Sequence, residues 1–307
     1  AANLTIASGG IYQHARNGGP IPTATWNAAS TCLISGITGT IPSAGLGQSF
    51  GNFTWNCTGQ TGAINNLAGA SGGLTTINGN FTVSSTNGQS LNLNNSTTNR
   101  TLTLGGNFNL TGGNVDLESN SGTTTIAISG NLIVSGTATL DSTTGTASTV
   151  NGTFVFSGSG TKTLNFSTPA NVGYINYTVN NGVTLELLSG VSLTKSTTVA
   201  WQGTILVNSG GVINCSTHVV DGQFTGTNAN FTISSGAKMI TANATGVQGS
   251  VNTTNVTATY NSGASYEFRG TNTGVFTLTT PNTITGTMTI NRSAGVTIDQ
   301  DFTTSTL

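Results

Sequence analysis

The chain carries eight carboxylates: Asp116, Glu118, Asp141, Glu186, Asp221, Glu267, Asp299 and Asp301. Two pairs, Asp116 with Glu118 and Asp299 with Asp301, have i, i+2 spacing, which sets both acids on one face of a strand. Acids paired in that way suit a glycoside hydrolase or a calcium-dependent lyase. Neither pair has a base close by in sequence, the nearest cations being Arg100 and Arg292. Asp116-Leu117-Glu118 therefore reads as an outward, solvated pair flanking an inward leucine, and Asp299 with Asp301 as a second solvated face. A catalytic set would need Glu186, Asp221 and Lys195 or Lys238 to meet on one face.

His14 and His218 stand near opposite ends of the chain, and neither has a full ligand set at metal-site spacing. Gly47 to Gly51 and Gly69 to Gly73 match Gly-x-Ser-x-Gly, but a nucleophile elbow needs a helix after it and none is predicted. The glycine and aspartate spacing of calcium-binding nonapeptides is missing, so folding is expected to proceed without calcium. No catalytic residue, cofactor-binding residue or metal ligand is assigned, and no cofactor is expected. The separation of Cys32 and Cys57 (57−32) is close to one repeat length, which would bring them to adjacent coils. A disulfide and a pair of buried free thiols both fit that spacing. Cys215, at strand parity with Ile213, reads as a free core thiol.

The elements that must position these groups are read from a phrase that returns four times. It runs Ile77-Asn78-Gly79-Asn80-Phe81-Thr82-Val83, Leu104-Gly105-Gly106-Asn107-Phe108-Asn109-Leu110, Ile128-Ser129-Gly130-Asn131-Leu132-Ile133-Val134 and Val150-Asn151-Gly152-Thr153-Phe154-Val155-Phe156. The steps between marker glycines are similar but unequal (106−79, 130−106, 152−130). Looser copies follow at Gly203 and Gly286. Gly or Asn interrupts most helix-length windows, leaving short alternating strands between glycine turns. The period is too short for a propeller blade and fits a solenoid. The predicted fold is all-β, a right-handed parallel β-helix (β-solenoid) of roughly a dozen coils of about 22–28 residues. Phe81, Phe108, Leu132 and Phe154 would fill one column of its core, and Val83, Leu110, Val134 and Phe156 the next. Residues 1–70, with both Trp-Asn pairs and two of the three Cys, read as atypical N-terminal coils or a cap. Residues 71–307 read as repetitive solenoid continuous with it. Between residues 227 and 283 the register is lost, and Tyr260, Tyr266 and Phe268 suggest a wider coil.

Composition removes several function classes. Of 307 residues, 43 are Gly and only 5% are charged, with a net charge of −1, whereas an ordinary soluble domain is about 25% charged. The seven Lys and Arg form no stripe, so a nucleic-acid partner is not expected. No run approaches the roughly 20 apolar residues of a membrane helix, so no membrane span is expected. Thr-x-Thr triplets starting at Thr101, Thr123, Thr137 and Thr161 raise an ice-binding solenoid as a remote alternative. Their steps (123−101, 137−123, 161−137) are too uneven for one ladder.

The opening phrases Ile11-Tyr12-Gln13-His14, Ile21-Pro22-Thr23-Ala24-Thr25-Trp26-Asn27 and Phe53-Thr54-Trp55-Asn56-Cys57 resemble the exported, adhesin-like surface proteins of Bacteroidetes that leave by the type IX route. So do Leu74-Thr75-Thr76-Ile77-Asn78-Gly79 and Ser293-Ala294-Gly295-Val296-Thr297-Ile298. The resemblance implies an extracellular or cell-surface location and a structural or adhesive role without catalysis. Proteins of that kind carry a C-terminal sorting domain that this chain lacks, as a fragment or a processed form would. A neutral Thr/Ser/Asn surface suits polysaccharide partners. Head-to-tail self-assembly through the terminal coils is also expected, because a last coil leaves backbone and apolar side chains unpaired. The competing reading is a polysaccharide-binding or polysaccharide-degrading β-helix enzyme.

Overall fold

The computed structural model describes residues 4–69, 71–142, 152–168, 171–193, 203–222, 229–271, 274–276, 283–293, 296–298 and 303–306. Lys195, Asp299 and Asp301 lie outside the described residues. Among the described residues the strand pairings are parallel, and helix is limited to short 3₁₀ turns such as Gln248–Ser250. The molecule is a β-solenoid. Its strands are short because an alternating run such as Phe53-Thr54-Trp55 buries two residues inward and then meets a Gly or Asn. The chain divides into two compact units, residues 1–154 and 155–307.

In the first unit one sheet takes Ile11–His14, Thr31–Ile34, Asn52–Asn56, Phe81–Ser85, Phe108–Leu110 and Leu132–Val134. A second takes Ser49–Phe50, Thr76–Ile77, Arg100–Leu104 and Thr124–Ile128, and a third Ser90–Asn94, Asn114–Glu118 and Thr139–Asp141. On the first sheet Ile11 pairs with Thr31 and Thr31 with Asn52, whereas Phe53 pairs with Phe81, Phe81 with Phe108 and Phe108 with Leu132. The opening coils (31−11, 52−31) are thus shorter than the repeat predicted, and the later ones (81−53, 108−81, 132−108) match it. Pairing passes directly from Asn52–Asn56 to Phe81–Ser85, so residues on both sides of position 70 share one sheet.

The glycine of the phrase marks the corner leading into the first sheet. Gly79 N–H donates to Gly51 O at 2.6 Å and Gly106 N–H to Gly79 O at 2.8 Å. A methyl group on Gly106 would lie 2.6 Å from the carbonyl carbon and oxygen of Gly79, and one on Gly130 would lie 2.4 Å from those of Gly106. Only glycine fits this column. The asparagine beside it forms a ladder: Asn80 N–H donates to Asn52 Oδ1, Asn107 N–H to Asn80 Oδ1 and Asn131 N–H to Asn107 Oδ1, each at 2.8 Å. These bonds satisfy backbone groups that leave the sheet at the corner.

Inside, Phe81, Phe108 and Leu132 are register partners, as are Val83, Leu110 and Val134. Phe154 and Phe156 correct the expected columns. Their strand, Gly152–Phe156, joins the second sheet beside Thr124–Ile128. Gly152 is accordingly not a corner glycine, for a methyl there would meet Ser142 and Leu117 side chains. Where the first sheet offers the smaller Leu132, Phe154 reaches in from the second sheet and sets its ring 5.3 Å from that of Phe108. It joins a series of edge-on contacts through Trp26, Phe50, Phe53, Phe81 and Phe108, a geometry that aromatic rings favour.

Within the second unit a first sheet takes Gly160–Phe166, Val183–Leu187, Val212–Asn214, Lys238–Thr241, Ser265–Gly270, Thr283–Arg292 and Thr303–Thr306. The second sheet takes Ile175–Val179, Thr204–Val207, Ala229–Ile233 and Val256–Tyr260. Val191–Ser192 pairs with Val220–Asp221 on a third face. On the first sheet Thr161 pairs with Thr184, Thr184 with Val212, Val212 with Lys238, Lys238 with Ser265 and Tyr266 with Met288. The stretch around Tyr260 (265−238, 288−266) therefore keeps coils no longer than its neighbours (212−184, 238−212). Its tyrosines fill the interior instead of widening it, with the rings of Tyr260 and Tyr266 6.3 Å apart. Turns in this unit use a different device, a column in which Gly182 N–H donates to Gly210 O, Gly210 N–H to Gly236 O and Gly236 N–H to Gly263 O.

Candidate functional site

The acid pair of the first unit is not solvated. Asp116 is 8% exposed and Glu118 is fully buried, because register places them against Asn92 and Asn94 of the preceding coil and the following turn folds over Glu118. Its Oε2 accepts from Asn94 Nδ2 at 2.6 Å and from Thr124 Oγ1 at 2.9 Å. Oε1 accepts the Asn120 N–H at 2.9 Å. Asn94 Nδ2 also donates to Thr98 O at 2.9 Å, so Asn94 and Glu118 close the bases of two successive loops. Burial pushes the Glu118 carboxyl above the usual carboxylate range, while the bonds from Thr124, Asn120 and Asn94 pull it back. Asp141 is the register partner of Asp116 on the other side. Asn92, Asp116 and Asp141 thus form one column, with Asn92 donating through Nδ2 to Asn65 Oδ1 at 2.6 Å.

In the second unit Glu186 and Asp221 do not meet. Glu186 lies on the first sheet, where Asn214 Nδ2 donates to it at 3.4 Å. Asp221 lies on the third face and accepts from Asn252 Nδ2 and Asn255 Nδ2 at 3.2 and 2.9 Å. Lys238 instead meets Glu267, with Nζ 2.6 Å from Oε2, and Arg269 pairs with the other carboxylate oxygen. The Arg269 bond, supported by Lys238, holds the Glu267 carboxyl below the usual carboxylate range against a smaller opposing effect of burial. Arg292, 7% exposed, donates to the backbone carbonyls of Arg269 and Asn243. Sequence inspection missed this cluster because its members lie a full coil apart along the chain (292−269, 267−238), and only the register joins them.

Cys32, Cys57 and Cys215 are all free and buried, which corrects the disulfide alternative. The register partner of Cys32 is Phe53 and not Cys57, because this coil is shorter than the separation of the two cysteines. Cys57 Sγ donates to Ile34 O at 3.6 Å. Burial pushes Cys32 and Cys215 up to about 12 and Cys57 up to about 11. His14 is buried, with Nε2 2.8 Å from Gly18 O and Nδ1 3.2 Å from Tyr12 Oη. The fold thus uses His14 to hold a turn. His218 sits in another turn, its backbone N–H donating to Cys215 O at 2.9 Å. Ser49 of the first Gly-x-Ser-x-Gly match stands in a strand, with another strand after it. A cavity of about 430 Å³ beside Thr40, Ile41, Pro42, Leu46, Ser71 and Gly73 has no ionisable side chain in its lining.

The outward positions of the second sheet in the second unit form two columns. Asn176 Oδ1 accepts both the N–H and the Oγ1 of Thr204 at 3.1 and 3.0 Å. Thr204 is the partner of Asn230, and Asn230 of Thr257. Beside them Thr178, Leu206, Thr232 and Thr259 are successive partners. The nearly equal steps along the first column (204−176, 230−204, 257−230) were the available sequence signal. The Thr-x-Thr triplets concealed it, since Thr101 pairs with Thr125 and Thr161 with Thr184 on different sheets. No helix among the described residues is long and apolar enough to cross a membrane. No protein-family profile, curated protein or solved structure matches the chain.

Proposed function

We propose that the protein is an extracellular, non-enzymatic structural or adhesive β-solenoid, which belongs to a cell-surface protein or fibre and makes contacts with polysaccharide. The observation that carries this reading is the double column Asn176–Thr204–Asn230–Thr257 and Thr178–Leu206–Thr232–Thr259. Strands are about 4.8 Å apart, and alternate residues along each are about 6.6 Å apart, so seven uncharged hydroxyl or amide groups and one leucine repeat on a fixed lattice. A polymer with hydroxyls at regular intervals can engage such a surface at many points, each weak alone. The other polar groups support the reading by what they already hold: Glu118 closes a corner, Glu267 is ion-paired on both oxygens, and His14 secures a turn.

The test is co-sedimentation with insoluble polysaccharides, comparing the native chain with Thr232→Lys/Thr259→Lys. The two lysines would lie on the outward face without disturbing the buried partners Phe231, Ile233 and Tyr260. Retention of the native chain and at least about tenfold weaker retention of the variant are expected, since several lattice contacts are lost together. Equal retention of both proteins would remove this face from the reading.

A further inference from the structure

The column Asn92–Asp116–Asp141 sets two carboxylates on adjacent strands as direct register partners. Strands about 4.8 Å apart bring these like charges together on a face where Asp116 is only 8% exposed. Two ionised carboxylates so placed repel each other, and a shared proton or a bound cation relieves that repulsion. A second, independent observation favours the cation. Asn92 is itself 8% exposed, and its Oδ1 is buried with no hydrogen-bond partner. Its Nδ2 points to Asn65 in the preceding coil. The amide oxygen diverges from Nδ2, and the register neighbour of Asn92 on the side away from Asn65 is Asp116. A buried carbonyl oxygen left without a donor is costly, and a cation beside the two carboxylates would satisfy it.

Local bonds orient the acids for this. Asp116 Oδ1 accepts the Glu118 N–H at 3.2 Å, and Asp141 Oδ1 accepts the Ser142 N–H at 3.1 Å. The donor set of the column is all oxygen, two carboxylates and an amide carbonyl, with no imidazole or thiolate. Hard oxygen donors of this kind select calcium over zinc or copper. Calcium also tolerates irregular geometry completed by water, whereas magnesium demands a near-ideal octahedron. We propose that Asn92 Oδ1 and the carboxylates of Asp116 and Asp141 bind one calcium-class divalent cation on the third sheet of the first unit. The three residues are each a coil apart along the chain (116−92, 141−116), so no ligand motif appears in the sequence. The corner ladders build the coils without the ion, so it adds stability to a fold already formed.

The test is calorimetric titration of calcium chloride into the full chain after treatment with a chelator, with thermal unfolding followed in parallel. Calcium at about 1–10 mM, the range that saturates extracellular calcium modules, is expected to bind one per chain and raise Tm. Magnesium should bind at least about tenfold more weakly. Asp141→Asn, at the more accessible end of the column, is expected to fold and to weaken calcium binding by about 10–100-fold, as loss of a ligand or its support does. Absence of both heat and a Tm shift would overturn the proposal, leaving a shared proton or a water to satisfy the column. Calcium binding unchanged in a folded Asp141→Asn variant would also overturn it, by placing the ion elsewhere.

Discussion

Glu267 and Cys32 show how the polar and reactive residues of this chain are committed to the fold. The Glu267 carboxylate, 6% exposed, sits between Lys238 and Arg269, and its proton affinity is lowered chiefly by the Arg269 bond. A folded value below the ordinary 4.5 means that the unfolded chain binds this proton more tightly. The stabilisation is therefore complete above that value and lost as pH falls through the folded one. Glu267→Gln should be less stable than the native chain at pH 7, and the gap in urea unfolding should close toward pH 3. A gap that stays constant would separate Glu267 from the pH dependence. The cysteines make a second residue-scale prediction. Their raised values leave almost no thiolate at pH 8, so a thiol reagent should modify none of the three in the native chain. Denaturant without reductant should then release three reactive thiols, whereas a Cys32–Cys57 bridge would release one.

At the scale of the element, the corner is the unit of construction. Gly106 and Asn107 act together, one by lacking a side chain where the Gly79 carbonyl passes, the other by accepting the N–H of Asn131. Gly106→Ala should cost about 1–3 kcal/mol through overpacking against backbone. Gly62→Ala, where an added methyl meets nothing within 4 Å, should stay within about 0.5 kcal/mol of the native chain. Denaturant melts of the two variants compare them directly, and equal losses would contradict the corner's role. This element was legible in the sequence because it recurs with fixed chemistry at Gly51-Asn52, Gly79-Asn80, Gly106-Asn107 and Gly130-Asn131. What the phrase could not say is which sheet follows. Gly152 and Gly203 open strands of the second sheet, while Gly286 lies in a strand of the first, so the phrase alone assigns Phe154 to the wrong column. The candidate sites were less legible still. Asn92 with Asp116, or Lys238 with Glu267, meet only through coil lengths that change from one turn to the next. A small error in the length of one coil parts Cys32 from Cys57 and hides the column that joins Asp116 to Asp141.

At the scale of the whole molecule, a chain with 5% charged residues places hydroxyl and amide groups on much of the outward face of its strands. The seven cations and eight carboxylates are too few to make a field that steers a ligand, so recognition must rest on shape and hydrogen bonding. Repetition supplies what single contacts lack, because each coil adds another hydroxyl or amide to the same column. The proposed polysaccharide contact and the proposed calcium site lie on separate sheets and can be tested apart. Calcium binding would leave the adhesive reading untouched, and failure of adhesion would leave the calcium column standing. The most direct measurement is incubation of the full chain with a panel of insoluble and soluble polysaccharides, uronate polymers included, with retention and released products read from the same samples. Retention on at least one polymer, with no new reducing ends and no unsaturated products, is the expected result. Release of either product at a rate that scales with protein concentration would contradict it and make the protein an enzyme.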